Sequence, residues 1–143
     1  MVDGHAADAA VLLGSRVLIV DSDETSRAAL HADLEARGFA VRKAANGVDA
    51  IVTLYFAGER LAVVVDTYLS DMDGEDFLHL VTQDPELAAR HGYVFLTESS
   101  AQPSAVTADF LTRHGIVALT KPYALDSLIA VLEDASLRPA PAR

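Results

Sequence analysis

The chain has 143 residues, 51% of them hydrophobic, which suffices for one domain with a single core of helices packed on a sheet. A formal net charge of −10 argues against non-specific nucleic-acid binding, which needs a basic footprint, and is compatible with holding a cation. With no cysteine there are no disulfides, thiolate zinc sites or cysteine nucleophile, and no apolar run approaches the roughly 20 residues that span a bilayer, so a cytoplasmic, non-membrane protein is expected.

Residues 1–15 mix Ala, Asp, His and Gly without strong periodicity and are expected to form a mobile arm, with at most a helical turn over 9–13. Arg16-Val17-Leu18-Ile19-Val20-Asp21 reads as a first buried strand that ends on an acid. Asp23 is placed to cap a helix running to Arg37, with Leu30 and Leu34 one turn apart on its inner face and Gly38 as the stop. Residues 39–44 give a second strand. Asn46-Gly47 opens a second helix whose Ile51, Leu54 and Tyr55 form an i, i+3, i+4 stripe, ending at Gly58.

Leu61-Ala62-Val63-Val64-Val65 is apolar throughout and mostly β-branched, as in a strand buried on both faces, and it stops on Asp66. Asp73-Gly74 starts a third helix with Phe77, Leu80 and Val81 inward. Asp84-Pro85 breaks it, because the residue before a proline disfavours the helical region, and a further turn over 86–90 reaches Gly92. Residues 93–97 form a fourth strand and 103–114 a fourth helix, with Val106 and Phe110 one turn apart. Gly115 closes that helix, residues 116–120 make the last strand, and Lys121-Pro122 ends it. Leu125, Leu128, Ile129 and Leu132 mark a last helix, and residues 138–143 read as a tail or the start of a linker.

Strands alternating with helices over short connections predict an α/β, doubly wound, open parallel sheet with helices on both faces. Ligands in such folds sit beyond the carboxyl ends of the strands. Asp21, Asp66, Thr97 and Lys121 each lie at or just after a strand end, so four polar side chains are expected to meet at one edge of the sheet. Two facing carboxylates repel unless a cation sits between them, and oxygen ligands with room for water suit Mg2+. A carboxylate nucleophile, a metal, an ammonium and a hydroxyl are the parts of phosphoryl transfer.

Together Val17-Leu18-Ile19-Val20-Asp21, Asp66 followed by Met72-Asp73-Gly74, Leu96-Thr97 and Leu119-Thr120-Lys121-Pro122 resemble the receiver domain of two-component response regulators. The resemblance implies a flavodoxin-like five-stranded sheet in the order 2-1-3-4-5, over residues 16–137. It implies that Asp66 accepts a phosphoryl group from a histidine kinase or phosphotransfer protein, that Asp21, Asp66 and the backbone carbonyl of Tyr68 hold Mg2+, and that Thr97 and Lys121 contact the phosphoryl. Output would be altered binding to a partner, with a homodimer through the last two helices as one form. Water removes the phosphoryl group in such domains, which are not enzymes turning over a free substrate.

Several positions depart from the family pattern. Ser22 stands where receivers carry a second acid, which is expected to weaken Mg2+ binding by about tenfold or more. Asp23 is expected to cap the helix rather than replace that acid. Glu98 follows Thr97 where a small residue is usual. It either opposes a phosphoryl about 5 Å away by on the order of 3 kcal/mol per charge pair, or points to solvent. Ala118 replaces the aromatic ring that reports phosphorylation, with Tyr123 as a substitute or simply a packed ring. Ser70 replaces the usual proline and is expected to loosen the loop after Asp66.

His31, His79, His91 and His114 show no paired metal spacing and are read as solvated, while Asp71 and Asp73 are read as serving the turn and the helix start. Two other functions compete. One is a pseudo-receiver that binds partners without phosphorylation, suggested by Ser22, Glu98 and Ala118. The other is a haloacid-dehalogenase-type phosphatase with Asp21 as nucleophile, suggested by Asp21-Ser22-Asp23-Glu24-Thr25, although no strand after Lys121 ends in acids.

Overall fold

Successive side chains on a strand point to opposite faces, so a run that is apolar at every position is satisfied only by a sheet covered on both sides. In the computed structural model, which describes residues 16–98 and 103–134, this holds for β1 (Arg16–Val20) and β3 (Ala62–Val65) at the centre of the sheet. With β2 (Ala40–Ala44), β4 (Gly92–Thr97) and β5 (Val117–Thr120) they form one all-parallel sheet in the order β2-β1-β3-β4-β5. The expected doubly wound, flavodoxin-like order is therefore the one found. The helical turn expected over 9–13 and the tail at 138–143 fall outside the described residues.

Among the described residues six helices alternate with the strands: α1 (Glu24–Ala36), α2 (Gly47–Phe56), α3 (Gly74–Gln83), α4 (Pro85–Arg90), α5 (Ala105–Arg113) and α6 (Leu125–Glu133). One face of the sheet, carrying Leu18, Val20, Val63, Val65 and Phe95, packs against α2, α3, α4 and α5 through Leu54, Phe77, Leu87 and Phe110. The other face, carrying Val17, Ile19, Val64, Val94 and Leu96, packs against α1 and α6 through Leu34, Leu128 and Leu132. Gly38 and Gly115 adopt positive φ (93° and 66°) after α1 and α5, where the chain must leave a helix sharply. Gly92, expected as a helix stop, is instead the first residue of β4.

Three helices are rotated from the faces their apolar spacing suggested. In α2, Tyr55 is 48% exposed and the inward positions belong to Gly47, Ala50 and Leu54, because small residues let the helix lie close to the sheet. The Tyr55 hydroxyl instead donates to Asp84 at the break between α3 and α4. In α3, Leu78 is buried and Leu80 is 49% exposed. In α5, Val106 is 79% exposed, and Thr107 turns inward so that its hydroxyl donates to Glu75 at 3.0 Å.

His91 is the plainest departure from expectation: it is 3% exposed rather than solvated. The Leu61 amide donates to its Nδ1 at 3.0 Å, and its Nε2 faces the Leu54 carbonyl at 3.4 Å, so one neutral ring ties α2 to the strand openings. Accepting at Nδ1 requires the neutral imidazole with its proton on Nε2. Burial chiefly holds its pKa below 6.5. The unfolded chain therefore takes up this proton first, and the stability His91 confers above pH 6.5 is lost as pH falls below that value. Asp21, with a raised pKa, acts in the opposite direction. In urea titrations between about pH 7 and about pH 5, His91→Gln is expected to lose less stability on acidification than the parent chain. Equal losses would contradict this role.

Candidate functional site

The parallel ladder places two acids side by side. Just beyond β1 the Asp21 amide donates to Ala44 O at 3.2 Å, and just beyond β3 the Asp66 amide donates to Val20 O at 3.0 Å, so both side chains leave the sheet at its carboxyl edge. Asp21 is 7% exposed, and its Oδ1 accepts the Asp23 amide at 2.9 Å. Burial foremost, with the charge of Asp66 adding, raises its pKa against the Asp23 amide and Lys121. Asp66 meets the ammonium of Lys121 at 2.5 Å through Oδ1. Burial alone would lower the Lys121 pKa, but its hydrogen bond to Asp66 and the charges of Asp66, Glu98 and Asp21 outweigh that and raise it, so it stays an ammonium.

Thr97 is buried beside this group, but its hydroxyl faces β5, 3.2 Å from Thr120 Oγ1 and 3.4 Å from Leu119 O. Glu98 does not point away to solvent: its Oε2 stands 3.5 Å from the Lys121 ammonium. Ala118 is exposed on β5, and Tyr123 is half-buried against the α1 and α6 side of the core. A cavity of about 580 Å³ opens between α1 and this edge, bordered by Asp21, Leu30, Glu98, Lys121 and Tyr123.

The segment from Asp66 to Gly74 is pinned along its length. A Cβ on Gly74 would lie 2.0 Å from the Asp66 carbonyl oxygen, so only glycine allows α3 to begin this close to the acid. The Gly74 amide donates to Thr67 O at 2.7 Å, and the Thr67 hydroxyl donates to Leu96 O at 2.5 Å. Asp71 reaches the start of α2, where its carboxylate accepts the Gly47 and Val48 amides at 2.8 and 2.9 Å and is held below the usual carboxylate range mainly by the Gly47 amide. Asp73 precedes α3 as its N-cap without a side-chain cap bond.

Ser70 does not loosen the loop. Its amide donates to Ser22 Oγ at 2.7 Å, and the Ser22 hydroxyl donates to Ala45 O at 2.6 Å. Sequence reasoning missed the tethers made by Thr67, Ser70 and Asp71 because each joins residues more than twenty positions apart. One local signal was available: Asn46 caps only the Asp49 amide, which left the first amides of α2 needing another acceptor.

Asp21 and Asp66 each have a second carboxylate oxygen to offer a cation, with the Tyr68 carbonyl following in the next loop. Two carboxylates and a carbonyl fit Mg2+, which usually keeps several waters. Ser22 adds no carboxylate and is committed to Ala45 and Ser70, while Asp23 uses its Oδ2 to cap α1 through Ser26. Accordingly, no group of three or more His, Cys, Asp or Glu side chains among the described residues is arranged to hold a metal.

A family model described as the response regulator receiver domain matches residues 17–133. The chain belongs to that family. It is similar to a CheY-like response regulator receiver domain protein from Methanospirillum hungatei JF-1, at 28% identity over 82% of this chain and 90% of that one, with a TM-score of 0.68. It is also similar to a response regulator protein from Burkholderia pseudomallei, whose structure holds a phosphorylated aspartic acid, a calcium ion and citrate, at 27% identity over 85% of this chain and 68% of that one, with a TM-score of 0.67. Chemotaxis protein CheY4 of Vibrio cholerae shares the fold, at 22% identity over 83% of this chain and 96% of that one, with a TM-score of 0.68. No curated protein sequence matches the chain significantly.

Two stability effects follow from the loop geometry. Gly74→Ala is expected to cost at least about 1–3 kcal/mol, the usual penalty of overpacking, and Asp71→Ala about 1 kcal/mol, as for a lost helix cap. Denaturant midpoints check both, and a neutral Gly74→Ala would contradict the close approach of α3 to Asp66.

Proposed function

We propose that the chain is a phosphoacceptor domain of a two-component phosphorelay, taking a phosphoryl group on Asp66 from a histidine kinase or phosphotransfer protein and changing its binding to an output partner. The observation that carries this reading is the 2.5 Å pairing of Lys121 with Asp66 beside the buried Asp21, at the carboxyl edge of a receiver fold. The relative with a phosphorylated aspartic acid and a calcium ion supports it. Residues 16–137 form the signalling unit, which acts in the cytoplasm.

In the proposed transfer an Asp66 oxygen attacks phosphorus, the phosphorus–nitrogen bond of the donor breaks with its electron pair going to the imidazole, and Asp66 becomes an acyl phosphate. Lys121 follows the charge from the carboxylate to a phosphoryl oxygen. Asp21, Asp66 and the Tyr68 carbonyl would hold Mg2+, which when bound would neutralise charge on the phosphoryl oxygens. Thr97 leaves Leu119 and Thr120 to donate to the phosphoryl, which changes the pairing of side chains between β4 and β5 and so the surface they support. Water later removes the group, and no free substrate is turned over.

A phosphorylation-independent interaction module is the second reading, and the Glu98 contact with Lys121 favours it, since that carboxylate takes part of the charge a phosphoryl needs. The phosphatase reading loses support because the receiver-domain family model matches residues 17–133 and, among the described residues, no strand follows Lys121 to end in acids. Incubation with Mg2+ and a small phosphodonor, followed by intact-mass measurement, is expected to add one phosphoryl group to the parent chain and none to Asp66→Asn. No addition at saturating Mg2+ and donor would sink the acceptor reading. Glu98→Ala is expected to speed uptake by roughly tenfold, equivalent to ~1.4 kcal/mol, and an unchanged rate would show that Glu98 does not oppose the incoming charge.

A further inference from the structure

A hydroxyl both donates and accepts, and Ser22 uses both capacities at once. It donates to Ala45 O at 2.6 Å, in the turn between β2 and α2, and accepts the Ser70 amide at 2.7 Å, in the loop after the acceptor strand. A carboxylate at position 22 would bring no proton to the Ala45 carbonyl, and a proline at position 70 would bring no amide to Ser22. Ser22 and Ser70 therefore act as one device, although each looks in the sequence like a separate loss.

We infer that Ser22 is a positioning residue, whose hydroxyl holds the loop carrying Tyr68 in place before any cation binds. It supplies by hydrogen bonding the order that a third carboxylate and its cation would otherwise impose. Asp71, one residue on, anchors the same loop to the start of α2, but only the Ser22 bridge lies directly after the Asp21 strand. A loop fixed in this way lowers the ordering entropy that a cation must overcome, so it offsets part of the affinity lost with the missing acid.

This inference rests on the phosphoacceptor reading only for its second readout. The first is amide hydrogen exchange of Ser70, followed by NMR in chelator and in Mg2+. The expected result is protection of the Ser70 amide without Mg2+, exchange faster by roughly fivefold in Ser22→Ala, and protection restored in Ser22→Thr, with amides of β1 and β3 unchanged throughout. Unchanged Ser70 exchange in Ser22→Ala, or protection that arises only with Mg2+, would overturn the inference. If Ser22→Ala does not fold, Ser22→Cys, a weaker donor and acceptor, reads the same bridge.

The second readout is the Mg2+ dependence of phosphoryl uptake from a small donor. Ser22→Ala is expected to need several times more Mg2+ for half-maximal rate while reaching a similar plateau, and Ser22→Thr to return to the parent value. A fall in plateau with no change in the Mg2+ requirement counts against the positioning role. A parent chain that takes no phosphoryl but shows Ser22-dependent protection of Ser70 defeats the acceptor reading and leaves the bridge standing.

Discussion

One ammonium answers to three acids at the edge of this sheet. Lys121 pairs with Asp66 at 2.5 Å, stands 3.5 Å from Glu98, and feels the charge of the buried Asp21. Opposite charges 4 Å apart attract by about 4 kcal/mol at an effective dielectric of 20. Without that attraction, the parallel register that brings Asp21 and Asp66 to neighbouring strand ends would leave two close carboxylates opposed in a partly buried setting. The winding order and the position of Lys121 just after β5 are thus parts of one solution.

Around this charge cluster the loops are fixed by local contacts, and the one made by Ser22 departs from the usual family pattern. Gly74 brings α3 against the Asp66 carbonyl, Asp71 caps α2, and Ser22 joins two loops by a hydroxyl where a metal-holding acid is expected. At that position the site has a hydroxyl that tethers the loop after Asp66 in place of a carboxylate. Glu98 alters the other side of the site, adding negative charge where the proposed phosphoryl would arrive. On the proposed function these two departures act in opposite senses, one preparing the loop and one opposing the transfer.

The strands and their order were legible because Val17 to Val20 and Leu61 to Val65 admit little except burial on both faces, and because Asp21, Asp66 and Lys121 follow strands directly. Helix rotation was less legible. In α3, Phe77, Leu78, Leu80 and Val81 are all apolar, so spacing alone does not choose between Leu78 and Leu80, and packing on the sheet chose Leu78. In α5 a polar residue, Thr107, took the inward place because Glu75 on α3 accepts its hydroxyl. His91 and Ser70 escaped for the same reason: their partners, Leu61 with Leu54 and Ser22, are distant in sequence, and nothing in the local pattern announces a long-range hydrogen bond.

In the proposed transfer Asp66, and not Asp21, becomes the acyl phosphate. Treating the chain with Mg2+ and a small phosphodonor, reducing it with borohydride and sequencing its peptides by mass spectrometry tests this directly, because reduction converts an aspartyl phosphate into homoserine at the residue that carried it. Homoserine is expected at position 66 alone. Homoserine at position 21, or an unmodified Asp66 under saturating conditions, would contradict it.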